Sequence, residues 1–222
     1  VYEGVYPGLY AYETGQAAAG DMLAWWVRML SGGADSAEPY ARLETDAARL
    51  PPGGHGLIAL DWWNGSRTPL MDPRLSGVLA GLRIETQPAE IYRALLEATS
   101  FGNRVVIDLL EANVGPIREV RASGGLTRSP LLMQILADVL NRDVLVAATP
   151  HASARGAAIY GALAAGLGSI HDICERMAVR DFTRYTPDAA SARAFDRLYG
   201  SYRELHQYFG EGGTELLRQL RR

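Results

Sequence analysis

Arg121-Ala122-Ser123-Gly124-Gly125-Leu126-Thr127-Arg128-Ser129-Pro130 is the stretch on which the fold turns. Apolar alternation over residues 117–123 predicts a strand, and Ser129 as N-cap with Pro130 as first helical residue predicts a helix running to about Leu140. Between them stand two glycines. Without a Cβ, such a turn lets a flat ligand lie against bare backbone. The helix start adds free N–H groups and a positive dipole end, which suits an adenosine or phosphate group at the carboxyl end of a strand. Tight strand-to-helix turns also use glycine for purely structural reasons, so on this stretch alone both readings stand open.

Working outward, Gln87-Pro88-Ala89-Glu90 opens a long helix whose stripe is Ile91, Leu95, Ala98, Gly102, Val105 and Leu109, stopped by residues 113–116. Residues 143–148 read as a strand and 153–165 as a helix closed by Gly166-Leu167-Gly168. Upstream, 15–30 and 40–50 are helical, the second ended by Pro51-Pro52-Gly53-Gly54, and 56–60 and 76–82 are short strands. A terminal helix over 191–209 presents Phe195, Leu198, Tyr202 and Leu205. Strand–helix alternation of this kind predicts an α/β fold with parallel members. About five strands in one mixed sheet are expected, with helices on both faces. The strand ending at Ser123 should be central and should neighbour 143–148 in parallel.

Composition narrows the function classes. The 222 residues are 48% hydrophobic with a formal net charge of −3, which gives no reason to expect a nucleic-acid or membrane surface. Every one of the 22 basic residues is arginine, so Schiff-base chemistry and a P-loop lysine are excluded. The single Cys174 cannot form an internal disulfide, which favours a cytoplasmic setting, and it reads as a buried small apolar residue. His55, His151, His171 and His206 lack metal-ligand spacing and read as loop or surface residues. Arg218, Arg221 and Arg222 read as a solvated helix end. One tryptophan of each pair, Trp25-Trp26 and Trp62-Trp63, should pack inward.

Further motifs sit around the central turn. Gln134, Ala137, Asp138 and Asn141 follow on its helix, and Ala152-Ser153-Ala154-Arg155-Gly156-Ala157-Ala158 comes next. Tyr10-Ala11-Tyr12-Glu13-Thr14-Gly15-Gln16 with Gly20-Asp21, and Leu60-Asp61-Trp62-Trp63-Asn64-Gly65-Ser66-Arg67, complete the set. Together they resemble the C-terminal lobe of the FGGY family of carbohydrate kinases, in its ribulokinase branch, over residues 1–168.

That resemblance implies an actin-like, ribonuclease-H-like lobe at 1–168, with 169–222 a helical extension of the same domain. It implies ATP-dependent phosphorylation of a ketopentose such as L-ribulose in a cytoplasmic enzyme, with ATP and Mg2+ (held mainly through the nucleotide) as cofactors. A small-molecule sugar substrate and an N-terminal lobe are the implied partners, and a homodimer is compatible. The general base and γ-phosphate loop are expected in the N-terminal lobe, with Val1 falling just after a phosphate loop, so the chain alone should not be catalytic.

Carried over residue by residue, Gly124 and Gly125 present backbone to the adenosine and the Gly-Ala-Ala helix packs behind that pocket. Ser129 contacts the nucleotide or simply caps its helix; Gln134 faces the nucleotide or lines the cleft wall. Gly81 approaches the adenine or serves packing. Glu13 accepts a hydrogen bond from a sugar hydroxyl or is a solvated turn residue. Asp61, Asn64 and Arg67 are cleft residues or turn caps. Two other readings compete: a non-catalytic actin-like nucleotide-binding or regulatory module, and a Rossmann-like dinucleotide domain. Against the latter, Gly124-Gly125 lacks the spaced third glycine and the downstream acidic residue.

Overall fold

The computed structural model describes residues 1–33 and 37–221. In chain order the elements are α1 (Ala19–Leu30), α2 (Ala37–Ala48), β1 (Ile58–Leu60), β2 (Val78–Ala80), α3 (Pro88–Val114), β3 (Val120–Ala122), a 3-10 turn (Gly125–Arg128), α4 (Pro130–Leu140), β4 (Val144–Ala147), α5 (Ala152–Ala164), α6 (Ile170–Met177), β5 (Phe182–Tyr185), α7 (Ala189–Gly210) and α8 (Leu216–Leu220).

Strand β3 pairs with β4 in parallel, Val120 opposite Val144, as the alternation implies. The expected single sheet is divided, however. β1 and β2 form an antiparallel pair, and the other sheet has the order β3-β4-β5. β4 rather than β3 is therefore central among the described strands. β5 takes the second edge antiparallel to β4, Val144 opposite Tyr185. Residues 169–222 thus contribute a strand as well as helices.

Helix α3 is the axis of the packing. Gln87 and Glu90 cap it reciprocally, with Pro88 in its first turn. Residues 92–102 are buried without interruption, so the one-sided stripe expected there is an all-round burial. The reason is that α1, α2, α4, α7 and β1 all lean on this one helix. Leu95 and Leu96 are fully enclosed, each contributing roughly 1.5–3 kcal/mol of transfer free energy. Around them gather Met22, Leu60, Ile135, Phe195 and Tyr202.

Polar chemistry accompanies this core. His55 and His206 are buried, not at the surface. His55 Nδ1 accepts from Leu57 N (3.0 Å), so its Nε2 carries the proton toward Glu97 Oε2 (3.2 Å), and Arg93 Nε donates to the other Glu97 oxygen (2.8 Å). The partnered carboxylate makes that burial affordable. Cys174 is half-buried. Arg218 is no solvated helix end: it pairs with Asp72 at 2.7 Å and donates to Gly210 O at 2.8 Å, while Arg222 lies outside the described residues. Helix α5 has no buried residue and packs chiefly on α6.

Candidate functional site

At the turn, Gly124 has φ +98° and ψ −170°, a region open to glycine alone, and Gly125 begins the 3-10 turn. A Cβ built on either residue would meet nothing within 4 Å. The backbone of this turn is therefore bare and open, as a ligand-facing turn requires.

Ser129 caps α4, its Oγ accepting from Leu132 N at 3.0 Å, and also donates to Glu44 Oε1 at 2.6 Å. Glu44, reaching across from α2, accepts from Leu131 N at 3.1 Å as well. Pro130 has no N–H, so the first turn of α4 is closed by the protein's own carboxylate. The anion-binding helix start anticipated from the sequence is filled from within. Gln134 is similarly committed: Nε2 donates to Asp138 Oδ1 and Thr186 O, both at 2.9 Å. Asp138, whose burial raises its pKa against several hydrogen bonds, also accepts from Asp188 N at 2.8 Å and so ties α4 to α7.

A second grouping lies in the segment that leads into α1. Residues 12–16 and the loop 61–68 are laced together, Thr68 N donating to Gly15 O (3.1 Å) and Gly15 N to Thr68 Oγ1 (3.4 Å). The Arg67 guanidinium lies on Gly15, where a Cβ would come within 3.0 Å of Nη1. Arg67, Glu13 and Asn64 are exposed. Asp61 is not: its carboxylate accepts from Gln16 Nε2 (2.6 Å) and Tyr202 OH (2.8 Å). Burial raises the Asp61 pKa while both hydrogen bonds oppose the rise. Gln16, Asp61, Ser66, Arg67, Gly102 and Tyr202 line one small cleft. Trp62 points inward, and Trp63 packs on Trp25 with ring centroids 5.5 Å apart.

The structure thus gathers Asp61 and Arg67 beside the segment that carries Glu13. Gly20, at the start of α1, would place a Cβ 3.8 Å from Leu126 of the glycine turn, so α1 connects the two groupings. Gly81 stands apart: its φ is +92° and a Cβ there would strike Gly56 O at 2.2 Å, a close backbone crossing beside the β1–β2 pair. Sequence reading missed Glu44, Gln16, Asn103 and Tyr202. Of these only Gln16 had a nearby signal, a glycine at position 102 in the middle of a helix.

Residues 1–165 match the model of the FGGY family of carbohydrate kinases, C-terminal domain. The chain belongs to that family. Over its whole length it is 42% identical to the ribulokinase of Halalkalibacterium halodurans and, over 98% of it, 37% identical to that of Mycolicibacterium smegmatis. It spans 42% and 40% of those relatives. Among solved structures, the xylulose kinase of Rhodospirillum rubrum superposes with a TM-score of 0.77 at 36% identity, covering 90% of this chain and 40% of that one. The Plasmodium falciparum glycerol kinase solved with ADP has a TM-score of 0.67 at 19% identity, covering 86% and 37%, and bears on the fold alone. The FGGY lobe described here is accordingly the actin-like α/β fold that the motifs imply. Among the described residues no helix is long and apolar enough to cross a membrane.

Proposed function

We propose that this FGGY lobe serves a kinase that transfers the γ-phosphoryl group of ATP to a pentulose, L-ribulose first among candidates. The observation that carries the reading is the 42% identity to a ribulokinase extending over the entire chain. The bare Gly124-Gly125 backbone supports an adenosine contact, because a side chain there would occupy the space a base or ribose needs. Its partner in catalysis is an N-terminal lobe supplying the base and the γ-phosphate loop.

In this reading Gly124 and Gly125 face the adenosine, while Ser129 and Gln134 act mainly by holding the turn and α4 in place. The polyphosphate lies away from the α4 helix start, since Glu44 already satisfies those amides and would repel it. Mg2+ arrives on the nucleotide's phosphates. Glu13 reaches the sugar, with Arg67, Asn64 and Asp61 on the same side of the cleft. Gly81 serves the β1–β2 crossing.

The test is a coupled ADP-release assay on the complete kinase containing this lobe, offered L-ribulose, D-ribulose, D-xylulose and glycerol separately. Turnover of L-ribulose with the highest kcat/KM is expected. Preference for glycerol, or no ADP release with any pentulose, would overturn the reading.

A further inference from the structure

Both ends of the Gln16 amide are bonded within the protein. Its Nε2 donates to Asp61 Oδ2 (2.6 Å) and Thr99 O (3.0 Å), and its Oε1 accepts from Asn103 Nδ2 (2.8 Å). Carboxylate and carbonyl are acceptors only, so the amide's orientation is fixed by its neighbours. Asn103 Nδ2 also donates to Thr99 O (2.9 Å), and Tyr202 OH holds the other Asp61 oxygen (2.8 Å). One side chain thereby joins the residue 12–16 segment to β1's end and to α3 and, through Asp61, to α7.

The sequence gives up helix stability for this. Gly102 sits in the interior of the 27-residue α3, where glycine is a poor helix former. A Cβ there would stand 2.3 Å from Gln16 Nε2 and 2.7 Å from Asp61 Oδ2. Alanine at 102 would push both groups apart. The gap is shaped to admit Gln16.

We propose that Gln16 is the positioning residue of the sugar side of the cleft, setting where the Glu13 carboxylate stands. Gln16 lies three residues beyond Glu13 and one beyond Gly15, whose backbone is laced to Thr68 and overlain by Arg67. A short segment pinned so firmly at one end has little freedom at Glu13, which lowers the cost of ordering the carboxylate when substrate arrives. The inference rests on the reading that Glu13 meets the sugar.

The experiment compares Gln16→Leu, Gly102→Ala, Glu13→Gln and the Gln16→Leu/Glu13→Gln double variant in the complete kinase, with sugar and ATP varied separately. Gln16→Leu and Gly102→Ala should each lower kcat/KM for the sugar about tenfold or more and leave the ATP KM within about twofold. The double variant should be no worse than the poorer single variant, because both changes act through one carboxylate. If Glu13→Gln impairs sugar use while Gln16→Leu and Gly102→Ala do not, the positioning role is wrong and the Glu13 reading stands. If Glu13→Gln is silent, the Glu13 reading fails and the positioning role with it. Additive losses, or equal rises in both KM values, also overturn the proposal. Should Gln16→Leu fail to fold, Asn103→Ala, which removes only the bonds from the part-buried amide to Gln16 Oε1 and Thr99 O, takes its place under the same criteria.

Discussion

Glu44 and Ser129 are 85 positions apart in sequence and 2.6 Å apart in space, and between them they close the first turn of α4. The contact is charge-assisted and part-buried, and it leaves no amide of that turn for an outside anion. Glu44→Ala removes the acceptor for both Leu131 N and Ser129 Oγ. We expect a loss of about 1.5–3 kcal/mol, the range for hydrogen bonds to a charged group. Urea unfolding should show the lower midpoint with an unchanged slope.

The two glycines of the turn should respond differently to substitution. Gly125 lies outside the positive-φ region and a Cβ there meets nothing within 4 Å, so Gly125→Val should change stability by no more than about 0.5–1 kcal/mol. In the complete kinase the same change should raise the KM for ATP far more than that for sugar. Gly124→Ala, forced into φ +98°, should cost about 1–3 kcal/mol even with no ligand present. Thermal melts and nucleotide kinetics on both variants separate strain from contact. Equal rises in the two Michaelis constants for Gly125→Val would make the turn a folding element only.

Glu13→Gln preserves size at an exposed position, so the melting temperature should barely move. If the carboxylate accepts a sugar hydroxyl, losing a charged hydrogen bond of about 1.5–3 kcal/mol lowers sugar kcat/KM about ten- to a hundredfold. ATP kinetics should stay as they are. An unaltered sugar kcat/KM would remove Glu13 from the site.

Acid should weaken the fold in two stages. Burial against Trp62 and Tyr202, with Arg203 nearby, pushes His206 from 6.5 down to about 4. The unfolded chain takes up that proton first, so stability falls as pH drops from 6.5 toward 4 and this contribution then levels off. Asp72 acts lower: its hydrogen bond from Arg218 holds it at about 2 instead of 3.8. Its contribution is intact above the unfolded value of 3.8 and is lost as pH falls through about 2. His206→Phe should flatten the upper stage and Asp72→Asn the lower one in pH-dependent denaturation. A His206→Phe profile that keeps its slope between the two His206 values would refute the assignment.

What could be read in advance was local in origin. Pro88 and Pro130 at helix starts, Ser129 as cap and the alternation before Gly124 each act within a few residues, and α4 runs over the residues they announce. β5 escaped because Phe182–Tyr185 is a four-residue edge strand whose pairing with β4 is set by tertiary contact. Helix α6 does carry a local signal, Ser169 capping reciprocally with Asp172, directly after the glycines at 166 and 168. The site divides in the same way. Glycines betray their backbone, whereas Gln16 meets Asp61 across 45 positions and Tyr202 meets it across 141, distances over which no periodicity speaks.

Trp63 rides on the loop that holds Asp61, Asn64 and Arg67, seated between the Trp25 ring and Gly77, where a Cβ would come within 2.2 Å of its own ring. That seating makes the loop an optical reporter of itself. Two indoles in contact exchange excitation and quench differently from indoles held apart, so any movement of the loop off α1 changes the intrinsic emission. Trp25→Phe and Trp63→Phe would separate this signal from that of Trp26 and the enclosed Trp62. Nucleotide and sugar titrations could then be followed without attaching a dye, a convenience in a chain whose lack of lysine leaves amine-reactive labels no side chain to modify.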